Sequence, residues 1–200
     1  PALLADGPAA AERIARAVRD GERIFIHGDY DVDGICATAI LTRWLRSLGG
    51  TVTPFVPHRV RDGYDFAKGG LNAAKADGAS LIVTVDCGTM AHETVTAANQ
   101  AGLDVIVTDH HTVGATLPNA LAVVNPQRAD CLYPDKGLCG AGVAFRVAEL
   151  VGVQLSANTD DLNAMLDLVA LATISDLVPL EGENRVLVAQ GLKRFSCTTL

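Results

Sequence analysis

Arg23-Ile24-Phe25-Ile26-His27-Gly28-Asp29-Tyr30-Asp31-Val32-Asp33-Gly34 decides how the rest of the chain is read. A short apolar run, centred on Ile-Phe-Ile, predicts a strand over Arg23–His27. It stops at a glycine and three alternating acids. Asp33 and Gly34 then open a helix running to Leu48, whose apolar stripe is Ala37, Leu41, Trp44, Leu45 and Leu48. Gly49-Gly50 stops that helix, and Thr51–Val56 reads as the next strand. Strand, polar turn, amphipathic helix and second strand make one βαβ unit.

The same rhythm extends outward on both sides. Before it, residues 8–20 form a short amphipathic helix with Ala9, Ile14, Ala17 and Val18 near one face, and Gly21 ends it. After it come a helix near Phe66–Ala76, a strand Leu81–Val85, a helix near His92–Ala101, a strand Val105–Thr108 and a strand near Leu121–Val124. The pattern then turns helical, over Ala141–Val151, Thr159–Ser175 and Glu183–Phe195. This predicts an α/β fold: a Rossmann-like parallel sheet flanked by helices, with right-handed crossovers and a helical C-terminal portion. Residues Asn125–Gly142 are rich in Pro, Gly and Asp and read as a loop capping the sheet edge.

Bulk properties narrow the function. The 200 residues are about half hydrophobic but only 4% aromatic, as suits a sheet covered on both faces. A net charge of −7 argues against gripping nucleic acid by charge alone. Bound cations would offset a local cluster of acids. Cys36, Cys87, Cys131, Cys139 and Cys197 include no Cys-x-x-Cys pair, so they read as small buried hydrophobes in a reducing compartment. No apolar run spans a bilayer, and no signal-peptide pattern starts the chain, so the expectation is a soluble cytoplasmic protein.

Ligands of open parallel sheets gather outside the carboxyl ends of the strands. Three strands here end in acids or histidines: His27 through Gly34, then Val85-Asp86-Cys87-Gly88, then Thr108-Asp109-His110-His111. Each alone has a structural explanation; Asp33, for one, is well placed as a helix N-cap. Together they concentrate carboxylates and imidazoles at one edge, where they would repel without a cation. Oxygen and imidazole donors suit Mn²⁺ or Mg²⁺. A further acid, Asp176, ends the apolar helical run Leu168–Leu177, where the helix dipole disfavours it.

The order Asp-Tyr-Asp-x-Asp-Gly, Val-Asp-Cys-Gly, Asp-His-His and Ala-Thr-Ile-Ser-Asp-Leu-Val-Pro-Leu resembles the DHH phosphoesterase superfamily, and within it the RecJ-type single-strand-specific exonucleases. The resemblance runs from about Glu22 to Arg194 and includes Val123-Val124-Asn125-Pro126 and Gly140-Ala141-Gly142-Val143-Ala144-Phe145. Asp29-Tyr30 stands where the family's small phosphatases and oligonucleotide-trimming members tend to have Asn-Pro.

The resemblance implies a site with two divalent cations, Mn²⁺ or Mg²⁺. His27, Asp31 and Asp86 would hold one; Asp33, Asp86, His110 and Asp176 would hold the other, with Asp86 bridging. His111, Asp109 and Arg59 would be catalytic: His111 facing the scissile phosphate, Asp109 orienting an imidazole, Arg59 contacting phosphate. Tyr64, Gly140 and Gly142 would bind substrate. One departure is Asp65, where the family commonly continues Gly-Tyr-Gly. The implied activity is 5′-to-3′ hydrolysis of single-stranded DNA in repair and recombination, with a single-strand-binding protein or helicase as partner and no membrane. The resemblance also implies that residues 1–200 are the catalytic domain, without the family's C-terminal substrate-clamping domain. Rival readings are a phosphodiesterase of short oligonucleotides or cyclic dinucleotides, and a non-catalytic scaffold of the same descent. A dinucleotide-binding module lacks its Gly-x-Gly-x-x-Gly signature here.

Overall fold

The structure, a computed structural model, describes residues 1–195. Its strands are Arg23–His27 (β1), Thr51–Phe55 (β2), Leu81–Val85 (β3), Asp104–Thr108 (β4) and Ala122–Val124 (β5). They form one sheet in the order β2-β1-β3-β4-β5, with every pairing parallel. Among the described residues, the helices are Gly7–Arg19 (α1), Val32–Ser47 (α2), Lys68–Asp77 (α3), His92–Gln100 (α4), Gly140–Gln154 (α5), Asp160–Ala164 (α6), Leu166–Ser175 (α7) and Gly182–Leu192 (α8). The expected α/β architecture is present.

Strand side chains alternate between two cores. Ile24 and Ile26 of β1, Leu81, Val83 and Val85 of β3, Ile106 of β4, and Ala122 and Val124 of β5 face α1, α2, α5 and α7. Phe25, Ile82, Val105, Val107 and Val123 face the other way, against Leu71 and Ala74 of α3 and Val95 and Ala98 of α4. Both faces are covered, so the strands read as near-continuous apolar runs. The connection through α2 leads from β1 to β2 on one side, and the chain then crosses to β3 on the other. That reversal between β1 and β3 opens a crevice at their carboxyl ends.

One expected helix is two. The run Thr159–Ser175 breaks at Met165, which ends α6 and begins α7. Leu162 packs into the large core from α6, while Leu166, Val169 and Ala172 pack from α7. Apolar spacing alone carries no mark of this break. The helix expected from Phe66 begins at Lys68, because Phe66 donates its N–H to the Asp65 side chain in a preceding turn. Cys36, Cys87, Cys131 and Cys139 are buried free thiols, as expected; Cys197 lies outside the described residues. Among the described residues, no helix is long and apolar enough to cross a membrane.

Trp44 ties α2 to α5. It is 1% exposed, and its Nε1 donates to the Ala148 carbonyl at 2.9 Å. Trp44→Ala leaves a cavity at this seam and is expected to cost about 3–5 kcal/mol. A urea titration measures it, and a loss below about 1 kcal/mol would show that the seam closes without the ring.

Candidate metal centre

The carboxyl ends of β1, β3 and β4 lie level at the crevice. The Asp86 N–H donates to the Thr108 carbonyl, and the Asp109 N–H to the Val124 carbonyl, each at 3.0 Å. The ladder thus continues one residue past the strands and brings Asp86 and Asp109 to the same edge.

Asp86 is the centre of the site. It is 1% exposed and holds φ at +61°, a left-handed conformation that non-glycine residues adopt at a cost. Neither of its carboxylate oxygens has a hydrogen-bond donor, and nor does the equally buried His110 Nε2 have a partner. His110 Nε2 lies 3.1 Å from Asp86 Oδ1 without forming a hydrogen bond to it, and 3.7 Å from both Asp33 Oδ2 and Asp176 Oδ2. Burial, then the charges of Asp33 and Asp31, push the Asp86 carboxyl up to about 10. Burial raises Asp29, Asp33 and Asp176 as well.

Ligand atoms of three trios lie within 4.8 Å of one another: Asp86, His110 and His111; Asp33, His110 and Asp176; and Asp29, Asp31 and Asp86. Asp86 belongs to two of them and therefore stands between the β1 acids and the β4 imidazoles. Buried oxygens without donors are costly unless a cation takes them. Oxygen-rich donors with imidazole are those of Mn²⁺ or Mg²⁺. The residues present fit such ions.

His27, expected as a ligand, has an apolar setting. No trio among the described residues includes it; Asp29 stands with Asp31 and Asp86 instead. The ring lies between Phe55 and Phe66, with centroids 5.3 and 5.1 Å away, and its Nδ1 is 3.6 Å from Cys87 Sγ. A Cβ at Gly70 of α3 would come within 2.3 Å of His27 Nε2, so the ring fills the glycine's place against that helix. Burial lowers its pKa to about 4, so the imidazole is neutral.

Asp33, which stands with His110 and Asp176, also meets the α5 terminus. The N–H groups of Gly140 and Ala141 donate to the two Asp33 oxygens at 2.6 and 2.7 Å. The helix end expected to meet a substrate anion is thus occupied by a carboxylate of the chain, a pairing the helix dipole favours. Gly140 is required there by proximity, since a Cβ would lie 2.5 Å from Asp86 Oδ1. Gly142 is buried against Leu138. Asp31 caps α2 by accepting the Gly34 N–H at 2.9 Å.

Asp109 is 1% exposed and accepts from the Thr89 N–H, the His110 and His111 N–H groups, and His111 Nδ1 at 2.8 Å. Burial works to raise its pKa, but the His111 bond and charge and the Thr89 bonds prevail, and it falls to about 2. The same bond raises His111, whose side chain is 45% exposed. Asn125 follows β5 at the same edge. Its Nδ2 donates to Thr89 Oγ1 and to the His111 carbonyl, bracing this turn. Arg59 and Tyr64 stand at the rim, both exposed, with the Arg59 guanidinium 5.2 Å from the Tyr30 ring centroid.

Fold and site together define an open parallel-sheet protein with a carboxylate–imidazole metal centre at its switch point. The DHH family, N-terminal domain, matches residues 23–173, and the chain belongs to that family. It is 43% identical over 203 residues to the single-stranded-DNA-specific exonuclease RecJ of Dickeya dadantii, an alignment covering 96% of this chain and 35% of that protein. Exonuclease RecJ solved with bound manganese superposes at a TM-score of 0.87 and 40% identity, over 98% of this chain and 49% of that one. Thermus thermophilus RecJ in complex with Mn²⁺ gives 0.83 and 37%, over 98% of this chain and 28% of that one. The chain thus spans between about a quarter and a half of the length of these relatives.

The raised Asp86 pKa sets a pH dependence. Without metal, the folded chain keeps the Asp86 proton up to about pH 10, whereas an unfolded carboxyl loses it near 3.8. Between these values the folded state binds more protons, so stability falls as pH rises. In chelator, the urea midpoint of the wild-type chain is expected to drop from about pH 6 to about pH 9, and Asp86→Asn to lessen that drop. An unchanged slope in the variant would show that Asp86 is not the titrating group.

Proposed function

We propose that this chain is the metal-dependent catalytic domain of a single-strand-specific DNA exonuclease that hydrolyses phosphodiester bonds. The carrying observation is the Asp86 carboxylate, buried without donors and shared between two groups of ligand residues. The names of the relatives supply the substrate class. Asp29, Asp31 and Asp86 would hold one cation, and Asp33, Asp86, His110 and Asp176 the other. When bound, such ions supply Lewis-acid charge and an activated water for in-line displacement at phosphorus.

The chain's own residues do the rest. Asp109 orients His111 through Nδ1, and a protonated His111 presents a donor to the non-bridging phosphate oxygens. Arg59 adds a cation at the rim. A non-catalytic scaffold would have no need to keep donor-free acids packed at a strained strand end.

The same reading extends to the cell and the whole protein. We infer a cytoplasmic location, 5′-to-3′ polarity, and a single-strand-binding protein or helicase as the supplier of strands. Residues 1–200 would be the catalytic domain, with a C-terminal domain helping to orient the strand. Orientation of a phosphate against its catalysts is an entropic task that a closing domain eases.

The expected outcome is Mn²⁺-dependent loss of single-stranded DNA, labelled at either end, faster than loss of blunt duplex at the same salt. Asp86→Ala is expected to abolish it and to remove at least one Mn²⁺ in calorimetry. Equal rates on the two substrates, or full activity in Asp86→Ala, would overturn the reading. Joining the chain to the C-terminal region of a longer RecJ relative is expected to raise the rate on long strands; equal rates would remove the role given to a second domain.

A further inference from the structure

Residues 57–67 carry Arg59 and Tyr64 on a loop between β2 and α3. Its middle is open to solvent: His58, Arg59, Val60, Arg61 and Tyr64 are all exposed. A loop with that much freedom would hold a phosphate-contacting arginine loosely. Yet two contacts tie it to the strand ends that bear the metal ligands.

The first contact is at β1. Tyr30 lies between Asp29 and Asp31, both of which sit within ligand distance of Asp86. Its ring supports the Arg59 guanidinium at 5.2 Å and meets the Tyr64 ring edge-on at 6.3 Å. Among the described residues no carboxylate pairs with Arg59, so its donors stay available while the aromatic face limits its motion.

The second contact is at β3. Asp65 Oδ1 accepts the N–H of Gly88 at 2.6 Å, two residues past Asp86. The same oxygen accepts the Phe66 N–H, and Phe66 is buried edge-on against His27. Asp65 adopts φ +64°, a conformation that glycine takes freely and aspartate does not. The carboxylate–amide bond is what this strained position gains.

We propose that Tyr30 and Asp65 are positioning residues that fix the substrate loop to the two metal-bearing strand ends, Tyr30 acting through Arg59 and Asp65 through Gly88. This rests on the nuclease reading above but makes demands of its own. A phosphate-binding arginine must be set within a fraction of an ångström of the metal cluster to be worth its charge in the transition state.

The test uses Tyr30→Leu, Tyr30→Phe, Asp65→Gly, Asp65→Asn and Arg59→Ala in the full chain. Asp65→Gly removes the carboxylate while easing the backbone, so a loss cannot come from strain. Two readouts need no catalysis. Hydrogen exchange at the Gly88 amide is expected to quicken about tenfold in Asp65→Gly and to recover in Asp65→Asn. The ring-current shift of the Arg59 side-chain resonances is expected in the wild type and Tyr30→Phe, and lost in Tyr30→Leu. With Mn²⁺ stoichiometry unchanged, kcat/KM on a single-stranded oligonucleotide is expected to fall about threefold to tenfold in Tyr30→Leu and in Asp65→Gly, with Tyr30→Phe and Asp65→Asn near wild type. Adding Tyr30→Leu to Arg59→Ala is expected to cost nothing more. The proposal is overturned if Gly88 exchange ignores Asp65, if the Arg59 shift ignores Tyr30, or if Tyr30→Leu costs as much without Arg59 as with it. An inactive wild-type chain would count against the nuclease reading, while the two spectroscopic readouts would still decide the loop.

Discussion

A carboxylate buried without a hydrogen-bond donor is among the costliest things a fold can contain, and Asp86 is one. The surrounding structure cannot relieve it with protein groups. His110 Nε2 is close but not aligned, the nearest helix N-terminus is already given to Asp33, His111 is bonded through Nδ1 to Asp109, and Asp31, Asp33 and Asp109 are acids. Two options remain, a proton or a cation. Burial and like charge favour the proton in the bare protein, and a divalent ion displaces it. The left-handed backbone at Asp86 belongs to the same arrangement, because strain of this kind persists only where packing over-determines it. The β1–β3 reversal, the glycine at position 140 and the two faces of apolar core all serve to hold that carboxyl in place.

The elements that depend on local pattern were legible in the sequence. Alternating strands, glycine stops and amphipathic helices gave the parallel sheet, and the carboxyl ends of three strands gave the acid and histidine set around Asp86. What stayed hidden depends on distant contacts. Asp33 meets the α5 terminus across 107 positions, so its spacing within the first motif cannot show that both oxygens are bonded. Gly140 reads as a helix start until Asp86 is seen against it. His27 and Asp29 differ by two residues and share a motif. The rings of Phe55 and Phe66 and the bare Cα of Gly70 surround the histidine, while the aspartate stands with Asp31 and Asp86, and neither placement shows in the spacing. Asp65 had a visible signal, an acid where glycine is usual, but its partner Gly88 lies on another strand.

On the nuclease reading proposed above, an acidic chain that meets a polyanion must place its few cations with care. The net charge of −7 offers no long-range attraction. Several of the arginines are consumed by the fold itself: Arg13 by Glu22 and Asp104, Arg128 by Asp6 and Asp130, Arg146 by Glu149 and Glu183. Arg59 is spared that fate by resting on an aromatic ring, which steadies a guanidinium without neutralising it. On the same reading, bound metal would supply the positive charge near the cluster, so recognition of the strand and assembly of the catalyst would share one source of field.

Two helix ends of opposite polarity meet at this centre, and the difference orders the site. The N-terminus of α5 gives two N–H donors to Asp33, which is therefore seated by the protein alone. The C-terminus of α7 ends at Asp176, whose carboxylate faces the unfavourable end of its own helix and stands 3.7 Å from the same imidazole. Burial raises the Asp176 pKa, and among the described residues no N–H donates to its side chain. Asp33 is seated by two amide bonds, whereas Asp176 stands beside His110 through its place at the end of α7 alone. Since α7 packs on both α2 and α8, a cation at that point joins the helical C-terminal portion to the edge of the sheet. Metal binding at this centre would then stabilise the fold by the same contacts that complete the proposed site.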